Sequence, residues 1–398
     1  MRNLTVLLAS ILFPVLSQAD TLVVDDDGGP GVDFTSIVDA VAAANRGDMI
    51  SVHDGLYPAY ITLDQALRIE SAAGSTSVVI SSFVMKIRDI PAGDEVHLRG
   101  LEFVRLEIDD CEGSVFISEV RAGGIAMNHC ANVRVADSEI WGVRGCPWDY
   151  ACYPAASVSS SYAEFLRCDL RGDSDFEGEF GYDGQSGLVV GPASIVHCIR
   201  STAVGGFGGR NYCVGGGDGV GGNGGHGVHV MPGGQLFLRL DPGAALGSGG
   251  SWEQGCNGDG VRGYEMLNEG FVQFVGVTPA DLDLAGAGEQ EVVPLAPYVE
   301  GSITSELVTL TVHGRPGAAV HILVARQPAL ESLPTILEPL LVDPIRVMSI
   351  GVLPESGSFV LSAPLPPAMP PGSRFALQAL VTDEFGRRLT NSVIYQIP

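Results

Sequence analysis

Short runs of alternating apolar and polar residues return along this chain at a nearly fixed interval. Glu95-Val-His-Leu-Arg-Gly-Leu-Glu-Phe, Ser114-Val-Phe-Ile-Ser-Glu-Val-Arg-Ala-Gly and Asn132-Val-Arg-Val-Ala-Asp-Ser-Glu-Ile-Trp-Gly each alternate, turn once and alternate again. Val96 to Val115 spans 19 residues and Val115 to Val133 spans 18. That interval marks a solenoid, because one rung cannot bury its inward face alone and must stack on its neighbours. The later units, Ala163-Glu-Phe-Leu, Ser194-Ile-Val-His-Cys and Gln235-Leu-Phe-Leu-Arg-Leu, follow at 30 or more residues. The excess chain must leave the coil as loops on one face.

Upstream of the repeats, Ile37, Val41 and Ala44 recur at helical spacing, while Ile50 and Val52 alternate with polar neighbours. The hydrophobic period therefore changes from helical to extended at Gly47-Asp48. With this helix-to-strand start and the stacked units behind it, the chain resembles the right-handed parallel β-helix proteins of the pectin-lyase-like superfamily. In that family such a helix covers the open N-terminal end of the coil. The resemblance implies an all-β fold: a right-handed parallel β-helix over 20–288, with an N-terminal capping helix over Phe34 to Arg46. From 289 to 398 the apolar runs Leu307-Val-Thr-Leu-Thr-Val, Ala319-Val-His-Ile-Leu-Val, Phe375-Ala-Leu-Gln-Ala-Leu-Val and Val393-Ile-Tyr-Gln-Ile are punctuated by Pro and Gly. Such regular short strands read as a C-terminal antiparallel β-sandwich. Leu330 to Leu341 reads either as a long connection or as a helix broken by Pro334 and Pro339.

Residues 1–19 carry Arg2, the apolar run Leu4 to Leu16, and Ser17-Gln18-Ala19, which is secretory signal-peptide grammar with a mature start at Asp20. No later stretch has the roughly 20 apolar residues of a membrane helix. The expected product is secreted or extracellular, in the periplasm or at the cell surface. The formal charge is −25, from 22 basic and 47 acidic residues. A nucleic-acid partner is excluded on that balance, since phosphate binding relies on Lys and Arg. A polysaccharide or cell-surface component is the expected partner. A polyanionic one would need a basic groove or bound Ca²⁺.

All eight cysteines fall between Cys111 and Cys256. An even number in an exported chain points to disulfides. Stacking of equivalent positions about 4.8 Å apart, within reach of a disulfide, pairs Cys111 with Cys130, Cys168 with Cys198, and Cys213 with Cys256. Cys146 and Cys152 would close a small loop of their own.

The insertions hold the candidate chemistry. Trp148, Tyr150 and Tyr153 in the first and Trp252 in the last offer faces on which sugars stack. Asp173, Asp175, Glu177 and Glu179 alternate in an acidic loop and form a candidate Ca²⁺ site, the one cofactor the sequence suggests. They start like an EF-hand, but Gly184 stands where its last carboxylate belongs. Arg134, Arg167 and Arg200 recur beside Asp137, Asp169 and Glu164, which makes Arg167, Asp169 and Arg200 the catalytic candidates, against the alternative of a charge-laced outer face. Gly225-His226-Gly227 is similar to the Gly-His-Gly of polygalacturonases. The paired aspartates that those enzymes carry shortly before the histidine are missing, since Asp109-Asp110 lies more than a hundred residues upstream. The motif sets of pectin methylesterases and pectate lyases are missing as well. Two functions stay open: a non-catalytic protein for surface attachment or carbohydrate binding, and a polysaccharide lyase or glycoside hydrolase acting on acidic polysaccharide.

Overall fold

A computed structural model describes residues 19–73, 78–81, 84–142, 153–173, 183–208, 222–239, 246–250, 261–275, 282–293, 297–303, 307–325, 328–331, 340–342, 346–364, 374–383 and 386–396. The stretch 1–19 expected to be a signal peptide lies outside them except for its last residue.

Three parallel sheets run the length of the repeat region. The first has 11 strands, from Thr21–Val24 to Glu289–Val293; the second has 7, from Gly55–Tyr57 to Thr202–Val204; the third has 9, from Thr62–Leu63 to Leu284–Ala285. Turns up to Thr202–Val204 visit the sheets in that order, and the later ones pass between the first and third alone. Glu95–Arg99, Leu101–Phe103 and Leu106–Asp109, for example, return to the first sheet at Ser114–Ser118. The register matches the repeat, with Val96 beside Val115 and Val115 beside Val133. The fold is a parallel β-helix. Its parallel pairing continues through Glu289–Val293, beyond the boundary expected at 288.

Alternation places Val96, Val115, Val133, Val196 and Leu236 inward, where they are fully buried in one continuous apolar column. The cap is a single short helix, Ile37–Ala43, started by Ser36, whose side chain accepts the N–H of Asp39. It is shorter than the expected 34–46 because Phe34 bridges Val24 in extended form. At the far end Gly47 turns with φ +92, and Asp48 accepts the N–H groups of Asp20 and Asn45 at 2.9 and 2.7 Å. The change of period at Gly47-Asp48 is therefore built as a glycine turn with a carboxylate bracket.

Corners are made by single left-handed residues. Between third and first sheets stand Asp89, Asp110, His129, Ser160, Ala193 and Gly233; between first and second stand Gly100, Glu119, Asp137, Arg167 and Arg200, all with positive φ. Such a residue costs about 1–2 kcal/mol unless glycine, with Asp, Asn and His tolerated best. The stack offsets this by continuing the hydrogen-bond ladder through the corner: Asp110 N–H donates to Asn128 O, and Arg167 N–H to Ile199 O. Just past many of these corners a small residue turns inward. Ser161 Oγ accepts the Cys130 N–H at 2.9 Å and donates to Ser159 O at 2.7 Å, and Ser201 Oγ accepts the Cys168 N–H at 2.9 Å.

All four described cysteines are buried free thiols, so the expected disulfides Cys111–Cys130 and Cys168–Cys198 are not formed. Cys111, Cys130 and Cys168 occupy the serine-like corner positions, where their thiols donate to Asp109 O, Ile108 O and Val135 O at 3.3 Å. Cys198 sits elsewhere, on the strand beside Phe165, three residues short of the level of Cys168, whose equivalent is Ser201. Cys168 and Cys198 are therefore not equivalent positions in the stack, because Glu164 pairs with His197 and Phe165 with Cys198. Cys146, Cys152, Cys213 and Cys256 lie outside the described residues.

Three successive insertions leave between the second and third sheets, where earlier turns needed two to four residues, and a fourth, after Gln235–Arg239, has its segment 246–250 bonded alongside 203–205 at the same place. Their described ends run side by side as extended glycine-rich segments that form no regular strand. Main-chain bonds link them in a zigzag: Gln185 to Asp173, Gly206 to Gln185, Gly225 to Gly206, Gly250 to Gly225 and Gly263 to Gly250, at 2.8–3.1 Å. A second set joins equivalent segments, with Gly184 bonded to Asn223, Gly205 to Ser248 and Gly224 to Val261. Spacing is so close that a Cβ on Gly206 would stand 1.6 Å from Asp173 O, and one on Gly225 2.1 Å from Gln185 O. An extended chain without internal hydrogen bonds satisfies its amides through neighbours, and only glycine fits where such chains crowd. The glycine tract is thus a packed ledge on the side of the coil.

Beyond the coil, Tyr298–Ile303, Leu307–His313 and Ser358–Pro364 form one antiparallel sheet, and Arg346–Val352, Ala319–Ala325, Arg374–Asp383 and Gly386–Gln396 another. Val299, Leu310, Val312, Val320, Ile322 and Val381 from both share one core. Within Leu330 to Leu341 the described ends are strands, Pro328–Glu331 paired with Leu340–Val342.

Gly225→Ala should lower stability by about 3 kcal/mol, the cost of forcing extra volume into a packed interior. The midpoint of urea unfolding measures it. Gly29→Ala, where nothing lies within 4 Å, isolates the backbone cost alone and should do much less harm.

Candidate functional site

The three catalytic candidates are occupied in ion pairs on the outside of the coil. Arg167 donates twice to Asp137, at 2.6 Å each, from neighbouring corner positions. Asp169 accepts from Arg171 and from Thr202 Oγ1, the latter at 2.8 Å. Arg200 reaches Glu300, on the first strand of the C-terminal sheets, at 2.5 Å. Arg99 holds Glu119 in the same corner column, at 3.0 and 3.1 Å. The column carries two acids, Glu119 and Asp137, followed by two arginines, Arg167 and Arg200, and Arg200 finds its counter-charge on the strand that follows the coil. The charge-laced outer face foreseen as the alternative is what these residues build.

Arg134 and Glu164 are different. They are only 8% and 3% exposed, on the outer side of the first sheet. There the register aligns His97, Phe116, Arg134, Glu164, His197 and Phe237 in one row. His97 stacks on Phe116 with centroids 4.6 Å apart, and His197 on Phe237 at 4.7 Å. Arg134 Nε lies 3.7 Å from Glu164, and its guanidinium sits 5.8 Å from the Phe116 ring. Burial, then the neighbouring Arg134 charge, pushes His197 down to about 4. Burial raises the Glu164 carboxyl, against the pull of Arg134. It raises Tyr162 as well, with the Glu164 charge adding to the effect. This ionisable row was missed in the sequence. Its signal was there, in polar or aromatic residues at the centre of each repeat: His97, Phe116, Arg134, Glu164.

Of the sugar-stacking candidates, Tyr153 is described, and the Arg105 guanidinium lies 3.4 Å over its ring. It packs the base of its loop. Trp148, Tyr150 and Trp252 lie outside the described residues. So do Asp175, Glu177 and Glu179, while Asp173 is buried at 4% exposure at the root of the acidic loop, beside Gly142 and Gly206. Among the described residues the carboxylates of Asp25, Asp26 and Asp27 come within 4.8 Å of one another. They serve the N-terminal glycine turn: Asp25 accepts the Asp27 N–H at 3.0 Å, and Asp26 the Leu56 N–H at 3.1 Å. No described helix is long and apolar enough to cross a membrane.

What the described geometry gathers at one place is the ledge, with four loops rooted along it. Comparison with known proteins adds little to this. No family model matches the chain, and no curated protein matches it. Among solved structures, the alginate lyase AlyGC of the PL6 family is 13% identical, with a TM-score of 0.19. That match covers 70% of this chain, which spans 40% of the length of the lyase. A score so low supports no transfer of chemistry.

The His197 row yields a pH test. A histidine whose folded value is depressed stabilises the fold above its unfolded value near 6.5, and the contribution disappears as pH falls toward 4. Glu164, raised by burial, works with the opposite sign. The stability difference between the unsubstituted protein and His197→Phe isolates the histidine. That difference should shift by about 3 kcal/mol in favour of the substituted protein between pH 6.5 and 4, followed by urea unfolding across the range.

Proposed function

We propose that this is an exported, non-catalytic β-helix protein that binds carbohydrate or a surface component through the loops of its ledge, with the C-terminal sheets as an accessory module. The observation that carries this reading is the placement of the insertions. Four consecutive turns each spend their extra chain at one corner, and the glycine zigzag holds the loop bases in contact. A row of loops on a rigid support is the arrangement by which solenoids present extended contact surfaces. Trp148, Tyr150 and Trp252 are the proposed contacts, and Asp173, Asp175, Glu177 and Glu179 the proposed Ca²⁺ ligands that would bridge to an anionic polymer. The lyase or hydrolase alternative loses its named residues to the ion pairs of Arg167, Asp169 and Arg200.

Co-sedimentation of purified 20–398 with insoluble polysaccharides and cell-envelope fractions, with and without Ca²⁺, tests the reading. Trp148→Ala combined with Trp252→Ala should weaken binding at least tenfold with an unchanged thermal midpoint. Undiminished binding in that variant, or release of unsaturated or reducing ends by the unsubstituted protein, would overturn it.

A further inference from the structure

Two histidines on the outer side of the third sheet stand apart from the loops. His229 is the central residue of Val228–Val230, level with Val189 and Leu267 on the adjoining strands. Its Nε2 lies 3.0 Å from Glu269 Oε2. A carboxylate only accepts, so that nitrogen carries the proton and Nδ1 is left as an acceptor. His226 has the complementary state: its Nδ1 accepts the Tyr264 N–H at 3.1 Å, which puts its proton on Nε2. The two rings are 5.8 Å apart, edge to face, and His226 also stacks on Tyr264 at 5.8 Å and 12°. Tyr264 is 37% exposed.

We propose that Tyr264, His226, His229 and Glu269 form a subsite for an uncharged, hydroxyl-rich sugar residue. A hydroxyl both donates and accepts, and the pair offers one acceptor, His229 Nδ1, and one donor, His226 Nε2–H, within the span of a single sugar. A uronate carboxylate could use only the donor and would meet the Glu269 charge. The Tyr264 ring supplies the apolar platform for a pyranose face. A metal is disfavoured, because neutral His226 has one nitrogen hydrogen-bonded to the main chain and a hydrogen on the other. Burial holds His226 below its ordinary value, against the pull of the nearby Glu269 carboxylate, which keeps it neutral near pH 7.

The subsite rests on the carbohydrate reading above but is separate from the loops, and the test keeps the two apart. Saturation-transfer NMR would follow purified 20–398 with cellohexaose, mannohexaose and hexagalacturonate, alongside Tyr264→Ala, His229→Phe, Tyr264→Phe and the Trp148→Ala, Trp252→Ala double variant. A neutral hexaose should bind, lose at least fivefold in affinity with Tyr264→Ala and with His229→Phe, and keep its affinity with Tyr264→Phe. Preference for hexagalacturonate, or neutral-sugar binding that survives Tyr264→Ala and His229→Phe while the double variant abolishes it, overturns the subsite and leaves the loop reading standing. Failure of the unsubstituted protein to bind any of the three overturns the subsite, while the loop reading is then judged on polymer and envelope binding.

Discussion

The structure depends on main-chain hydrogen bonds that run along the coil axis without a slip in register. Once Val96, Val115 and Val133 lie level, every position in a turn inherits a neighbour of the same kind above and below. Inward columns become continuous apolar stacks, and outward ones become rows of rings or of paired charges. Even the strained left-handed corners follow from this rule, since those from Asp89 to Arg200 each donate to the turn above. A side chain in such a column is chosen by its place in the turn before any chemistry is asked of it. This is why Arg167 and Arg200, which stand out in the sequence as a basic ladder, are consumed as partners of Asp137 and Glu300.

The ledge extends the same rule to chain that has no side chains to stack. Where strands stop, Gly206, Gly225, Gly250 and Gly263 continue to bond from segment to segment, at separations no Cβ would allow. Glycine loses more conformational entropy on ordering than any other residue. A run of it held by dense hydrogen bonding is therefore a support, and what it supports is the set of loops rooted there. The charge of −25 keeps such a particle soluble.

Much of the fold was legible because the side-chain period, the length of the turn and the change at Gly47-Asp48 are one-dimensional signals. The antiparallel sheets could be read for the same reason, from alternation broken by Pro and Gly. What failed to show was register. The expected pairing of Cys168 with Cys198 needed Glu164 level with Ser194, whereas Glu164 pairs with His197, an offset that the intervening insertion hides in the sequence. A cysteine at a corner also looks like a cross-link in sequence, whereas in three dimensions it does what Ser161 and Ser201 do, bonding to a carbonyl at a bend. The ledge leaves no local mark in the sequence, since it is made by contact between glycine-rich segments from different turns. The Gly-His-Gly motif alone gives His226 no role, and its partner Tyr264, like Glu269, the partner of His229, lies some 40 residues on, reachable only through the stack.

Hydrogen exchange in the native state tests the central claim most directly, read amide by amide across the coil and the ledge. If register-locked main-chain bonds hold both, the amides of Gly206, Gly225, Gly250 and Gly263 exchange as slowly as those of the strand Val228–Val230. Exchange of those glycine amides at the rate of an unprotected chain, beside a protected coil, would contradict it.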